Sequence, residues 1–343
     1  MKTAPKISIS ESRNAVLVWN YYGFVFAGFV LLLFFSVLTS MALGEAMLPP
    51  SEIWAVLCGA ADESSRIIFF DIRLPRTIVG LFVGAGLGAS GVVMQAYFRN
   101  SLAAPGLLGV SSGGALGAVL ALTFGGWLGI YTVPLASVSG AFMAIGAVML
   151  LARKGASPEH LLLAGVALNA LFGAATSFIL SASADQTHLN AQILFWLMGG
   201  IENRTWEHVW MAAPSILLAS VLLLPLGRPM NLLALGDSGA QSLGVDVRRL
   251  RWQLIVLSTI LTALATAVAG VIGFVGLVVP HIIRLIDGPN HRRLLPLSML
   301  GGASLVLLCD LPTRFLGAGM RLGVITSLAG GPFLLWLLRK RPC

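Results

Sequence analysis

Charged residues are scarce in this chain. Asp, Glu, Lys and Arg make up 10% of its 343 residues, against 57% hydrophobic residues and a mean hydropathy of +0.89. That leaves too little polar surface to cover a soluble globule of this length, so the sequence belongs in a bilayer. Cysteine is rarer still. The three present are an odd count, with Cys309 inside an apolar run and Cys343 the last residue, so no disulfide framework is implied and no redox compartment can be read. The acids are outnumbered by the bases, giving a net charge of +8, but the bases are scattered between apolar runs rather than gathered on a face, which excludes a nucleic-acid partner. No GxxxxGK[ST] loop, HExxH, GxSxG elbow or Cys/His cluster at metal spacing occurs, so no catalytic, cofactor or metal site is expected. The apolar runs carry almost no ionisable group beyond Asp310, and Arg314 four positions on is a sufficient helical salt partner for it. A membrane chain without a nucleotide site or a relay of charges is moved by an outside motor, or it is a passive channel.

What is present in abundance is length of apolar run. Windows of about 19 residues give about ten candidate spans, beginning near Tyr21, Ile78, Gly109, Val133, Leu161, Val209, Leu254, Ile272, Leu295 and Leu322. The first follows a segment 1–20 of mixed character and is too long for a signal-peptide core, so it is expected to be retained. Pro280 predicts that the run from Ile272 is kinked or only partly crosses, and 190–200 reads as a shallow interfacial helix. An even count places both termini on one side. Of the 22 Lys and Arg residues, all but Arg66, Arg73, Arg76, Arg204, Arg314 and Arg321 fall on that side, which makes it cytoplasmic. Glycine recurs every four residues at Gly80, Gly84 and Gly88 and again at Gly109, Gly113 and Gly117, which predicts closely packed helices.

One polar island interrupts the pattern, GDSGAQSLGVDVRRLR from Gly236 to Arg251. Asp237 or Ser238 can cap a short helix with Ala240 and Leu243 on one face, Gly244 suits its exit, and Asp246 can cap a second helix from Val247. Arg248, Arg249 and Arg251 lie in a first helical turn, where the macrodipole disfavours cations, so they are read as topology signals on a cytoplasmic loop.

Four segments resemble the FecCD permeases: IRLPRTIVGLFVGAGLGASGVVMQ (Ile72 to Gln95), RNSLAAPGLLGVSSG (Arg99 to Gly113), LLLAGVALN (Leu161 to Asn169) and GFVGLVVPHIIRLI (Gly273 to Ile286). The similarity runs from about Ile72 to Leu338, with the motifs in the family's order. What the resemblance implies is an all-α polytopic permease of a type II ABC importer. It would be a homodimer in the bacterial inner membrane, each 1–343 chain forming one transmembrane domain with a cytoplasmic coupling region at 228–251. Two cytoplasmic ATPase subunits would use ATP and Mg, while this chain binds no cofactor itself, and a periplasmic binding protein would deliver cargo. The implied cargo is an iron chelate, haem or a ferric siderophore, with cobalamin or molybdate as alternatives, and an ion-coupled secondary carrier as the rival class.

Residue roles carry over on the same resemblance. Asp237, Ser238, Ala240, Leu243, Gly244 and Val245 would couple to the ATPase, with Ala240, Leu243 and Val245 available to the partner. Asn100, Ser101 and Leu102, and Ser157, Pro158 and Glu159, would form two cytoplasmic gates. Arg73, Arg76 and Arg314 would meet carboxylates of the binding protein, since arginine grips a carboxylate with two parallel bonds. The chain departs from the family at Ser101, where proline is usual, at Ala104, where an acid is common, and at Gly319–Gly323, where Glu-Leu-Pro-x-Gly is replaced by a segment containing Arg321. Which of Met94, Gln95 and Asn169 face a pathway is not legible from the sequence.

Overall fold

The computed structural model describes residues 9–44, 46–125, 129–151, 158–315 and 320–340, of which 9–20, 158, 338 and 340 are described as backbone. Among them the regular elements are all helical. In chain order they are α1 (Ile9–Ala42), α2 (Pro50–Leu57), α3 (Glu63–Ile67), a π-helical turn (Ile68–Arg73), α4 (Leu74–Tyr97), a 3₁₀ turn (Pro105–Leu108), α5 (Val110–Phe124), α6 (Thr132–Leu151), α7 (Pro158–Ala182) and α8 (Thr187–Leu197). Then come α9 (Trp206–Leu223), α10 (Gly227–Leu233), α11 (Asp237–Ser242), α12 (Val247–Ala269), α13 (Val275–Asp287), α14 (His291–Phe315) and α15 (Leu322–Lys340). Each of the ten apolar runs becomes one of the long helices α1, α4, α5, α6, α7, α9, α12, α13, α14 and α15.

Seven of the helices are long and apolar enough to cross a bilayer. α13 is not: its 13 residues span about 20 Å against the ~30 Å of hydrocarbon, in line with the partial crossing that Pro280 predicts. Most of the stretch 190–200 falls on the short α8, which ends at Leu197. Two features lay outside the sequence reading. α2, α3 and the π turn form a cap near one end of the bundle, where Met41, Leu48, Val56 and Phe69 bury a small core of their own. α10 extends α9 towards the polar island.

α4 is the centre of the bundle, with 78% of its apolar window buried, packed on α14, α12, α9 and α13. Glycine makes that possible. A Cβ on Gly84 would collide with the Gly302 carbonyl and lie 2.7 Å from Ala303 Cα, so the backbones of α4 and α14 touch there. The second glycine run does the same for α5 and α6, where Gly113 faces Gly140. Hydroxyls join α4 to α12: Ser90 Oγ lies 2.9 Å from Ser258 Oγ and 2.8 Å from Thr262 Oγ1. α7 is the opposite case, with 17% of its window buried.

Candidate functional site

At one end of the bundle the polar island folds as α11 and the start of α12. The position before α11 is Gly236, whose φ of +96° suits glycine, so Asp237 is the first helical residue rather than the cap. Its carboxylate has other work. Arg251 Nη2 donates to it at 2.8 and 3.1 Å, and Arg99 Nη2 lies 3.7 Å away. Arg251 also stacks over the Tyr97 ring at 5.0 Å, so one acid clasps α11 to α12 and to the end of α4. This corrects the view of Arg251 as a topology marker alone; Arg248 and Arg249 stay exposed. Asp246 caps α12 as expected, accepting from the Arg249 backbone N–H at 3.0 Å, and Gly244 leaves α11 with φ +83°.

The faces of α11 differ from the expectation. Ala240 is fully buried against the core and Val245 is half-buried, so neither stands free for a partner. Helical spacing puts Ala240 and Leu243 on one side, but α11 is so short that its inward side is closed by the core. Leu243 at 58% and Leu235 at 65% exposure are the apolar groups presented outward, flanked by the exposed Ser238.

Of the two segments expected to form gates, one leads into a turn that packs on α7 and the other opens α7. Asn100 Oδ1 accepts the Leu102 backbone N–H at 2.9 Å, an Asx turn, and Ser101 and Leu102 are half-buried. The chain then enters the Pro105–Leu108 turn, which rests on α7: a Cβ on Gly165 would collide with the Leu107 carbonyl. Asn169 on α7 donates to the Gly106 carbonyl at 3.1 Å and accepts from Ser112. Pro158 opens α7 and Glu159 is exposed in its first turn; Ser157 lies outside the described residues. Met94 and Gln95 are buried within the bundle, Gln95 donating to the Leu277 carbonyl at 3.3 Å.

Towards the other end of α4 lie three arginines, two of which share one acid. Arg76 grips Asp310 with Nε at 2.9 Å and Nη2 at 2.7 Å, the bidentate geometry of a strong charged pair. Arg314 holds the other side of Asp310 at 3.0 and 2.7 Å, the helical pair the spacing foretold, and reaches the Ser40 and Leu43 carbonyls of α1 and its exit. Arg73 donates to the Met41 and Ala46 carbonyls rather than to Asp71. Asp310 is fully buried, and Arg73 and Arg314 are 5% and 7% exposed. Their donors are engaged inside the chain, and only their edges reach a cleft of about 450 Å³ that they line with Arg76, Arg321 and Glu202.

The model of the FecCD transport family matches residues 31–340, nearly the whole of this architecture. The chain belongs to the FecCD transport family. It is 41% identical over 322 residues to the Hemin transport system permease protein HmuU of Yersinia pestis, covering 92% of this chain and 95% of that one. Over 281 residues it is 43% identical to the Cobalamin import system permease protein BtuC of Halobacterium salinarum, covering 81% and 75%. A solved structure described as an inward-facing conformation of a metal-chelate type ABC transporter superposes with a TM-score of 0.84 at 37% identity, covering 92% of this chain and 99% of that one. This FecCD chain is a multi-pass permease subunit of a type II ABC importer, not an enzyme; ATP hydrolysis resides in a separate subunit.

The FecCD chain also carries groups that sequence reasoning passed over. Arg321 pairs with Glu202 at 2.9 Å and lies over the Phe195 ring at 4.0 Å, joining the start of α15 to the α8–α9 connection. Arg204 lies beside them. Burial pushes its guanidinium below the ordinary arginine value and Glu202 pulls it back. The departure at Arg321 was the available signal, but its partner is 119 positions away and spacing does not reveal it.

Proposed function

We propose that this chain is half of a homodimeric pathway carrying an iron chelate, haem or a ferric siderophore, from the periplasm into the cytoplasm. Two ATPase subunits sit on the α11 ends, a periplasmic binding protein docks at the cleft of Arg73, Arg76 and Arg314, and both termini lie in the cytoplasm. ATP and Mg act in the ATPase, and this chain binds neither. Asn100, Ser101 and Leu102 form one gate, and the segment of Ser157, Pro158 and Glu159 the other.

The observation that supports this best is the clasp on α11. A short helix held by Asp237 to Arg251 and Arg99, with Leu243 exposed on it, passes on a push that a free loop would absorb. Because Arg99 is the neighbour of Asn100, the push arrives beside a gate. Cobalamin is the second reading, favoured by the 43% identity to the Halobacterium salinarum relative.

Co-purification with an ATPase and a binding protein, followed by competitive uptake of labelled haem, ferric siderophore and cobalamin into sealed vesicles, tests both readings. Uptake driven by an ion gradient with no ATPase present would remove the importer reading. Preferential uptake of cobalamin would replace the iron chelate.

A further inference from the structure

A second cleft, of about 440 Å³, lies between α8, the α8–α9 connection, the start of α15 and the adjoining ends of α5, α6 and α12. Gln192, Phe195 and Trp196 line one part of it, and Arg204 and Arg321 bring positive charge to another, beside His208. It continues into the cleft of Arg73 and Arg76, since Glu202, Asn203 and Arg321 border both.

The protonation of His208 is set by the fold. It is the third residue of α9 and completes a capping box with Thr205, whose backbone N–H reaches His208 Nδ1 at 3.3 Å and whose hydroxyl lies 3.0 Å from the same nitrogen. Nδ1 is therefore an acceptor, and the neutral ring keeps its proton on Nε2. That Nε2 faces Arg204 Nη1 at 3.4 Å. Guanidinium nitrogens only donate, so two donors confront each other with no acceptor between them. Arg204 Nε and Arg321 Nε are also buried without a hydrogen-bond partner. Glu202 is the one acid among the residues lining the cleft, and Arg321 already holds it. Two guanidiniums and an N–H thus converge where one carboxylate is present, an arrangement that leaves half-buried positive charge short of a counter-ion.

We propose that this cleft is a carboxylate site, and that the carboxylate is carried by the cargo. The aromatic wall of Phe195 and Trp196 beside the cations suits an apolar or planar body bearing an acid. Resting on the importer reading above, this selects a chelate with free carboxylates, such as haem with its two propionates, over cobalamin, whose side chains are amides.

The test is binding to the full-length permease in lipid nanodiscs, corrected against empty nanodiscs and read from the haem absorbance band, with haem and its dimethyl ester as probes. One charge-assisted pair predicts that the wild type prefers the acid by about tenfold or more. Arg204→Gln should bring the ratio close to one, and Arg204→Lys, which keeps the charge, should retain part of it. Equal affinity for acid and ester in the wild type, or a preference that survives Arg204→Gln, overturns the proposal. Affinity for the purified binding protein is measured on the same nanodiscs. If Arg204→Gln weakens that docking while the wild type binds acid and ester alike, the carboxylate belongs to the binding protein and the cargo assignment is overturned. ATP-driven uptake by the assembled importer is scored separately, so its failure would strike the importer reading without deciding the acid/ester ratio.

Discussion

Two acids, Asp310 and Asp237, hold most of the long-range charge contacts among the described residues. Asp310 is fully buried between Arg76 and Arg314, so Asp310→Ala leaves two cations without their acid. Breaking a buried pair this way costs about 3–5 kcal/mol, and a marked fall in the unfolding midpoint of the purified subunit is expected, larger than for Arg76→Met. A smaller fall than for Arg76→Met would show that Asp310 is not the keystone of the cluster. Asp237 is half exposed, so its loss should spare stability and touch coupling instead. Asp237→Ala is expected to lower uptake several-fold per ATP hydrolysed while hydrolysis continues, measured in vesicles with the full complex; unchanged coupling would make the clasp merely local. The Asp310–Arg314 pair was legible because four residues is a helical interval. The Arg76–Asp310 pair spans 234 positions, and the Asp237–Arg251 pair crosses a turn, so both needed the fold.

Helices are held at two kinds of contact here, glycine seams and the short α11. Gly84→Leu would force apart the α4 and α14 backbones, at about 1–3 kcal/mol or more, and the yield of folded protein should drop. Gly146, with nothing near its missing Cβ, is the control: Gly146→Leu should fold normally. On α11, Leu243→Asp is expected to leave the melting temperature unchanged and to uncouple uptake from hydrolysis, whereas Ala240→Asp should destabilise the subunit, because Ala240 is buried and Leu243 is not. Normal uptake by Leu243→Asp would remove α11 as the contact. All ten long helices were readable from apolar length, and both glycine runs marked real seams. α2, α3 and α10 were missed because they are short and lie outside the long apolar runs, and the inward turn of Ala240 was missed because periodicity defines a face but not what covers it.

For the molecule as a whole, the contrast between α4 and α7 matters most. α7 leaves Leu163, Val166, Leu171 and Phe178 exposed, and Gly173 has open space around it. We infer that this exposed face of α7 meets the second copy in the proposed homodimer. Val166→Cys, placed in a background lacking Cys58, Cys309 and Cys343, is therefore expected to form disulfide-linked dimers in native membranes; only monomer after oxidation would move the interface elsewhere.

α4 reaches from the Tyr97 stack beside the α11 clasp to the Arg76 grip on Asp310. Its 24 residues extend about 36 Å as a single unbroken rod. A tilt of about 3° at its clasped end displaces the far end by ~2 Å, which is comparable to the helix shifts that separate states in switching proteins. A rotation imposed on α4 at its clasped end would thus be carried, as one body, to the Arg76 end.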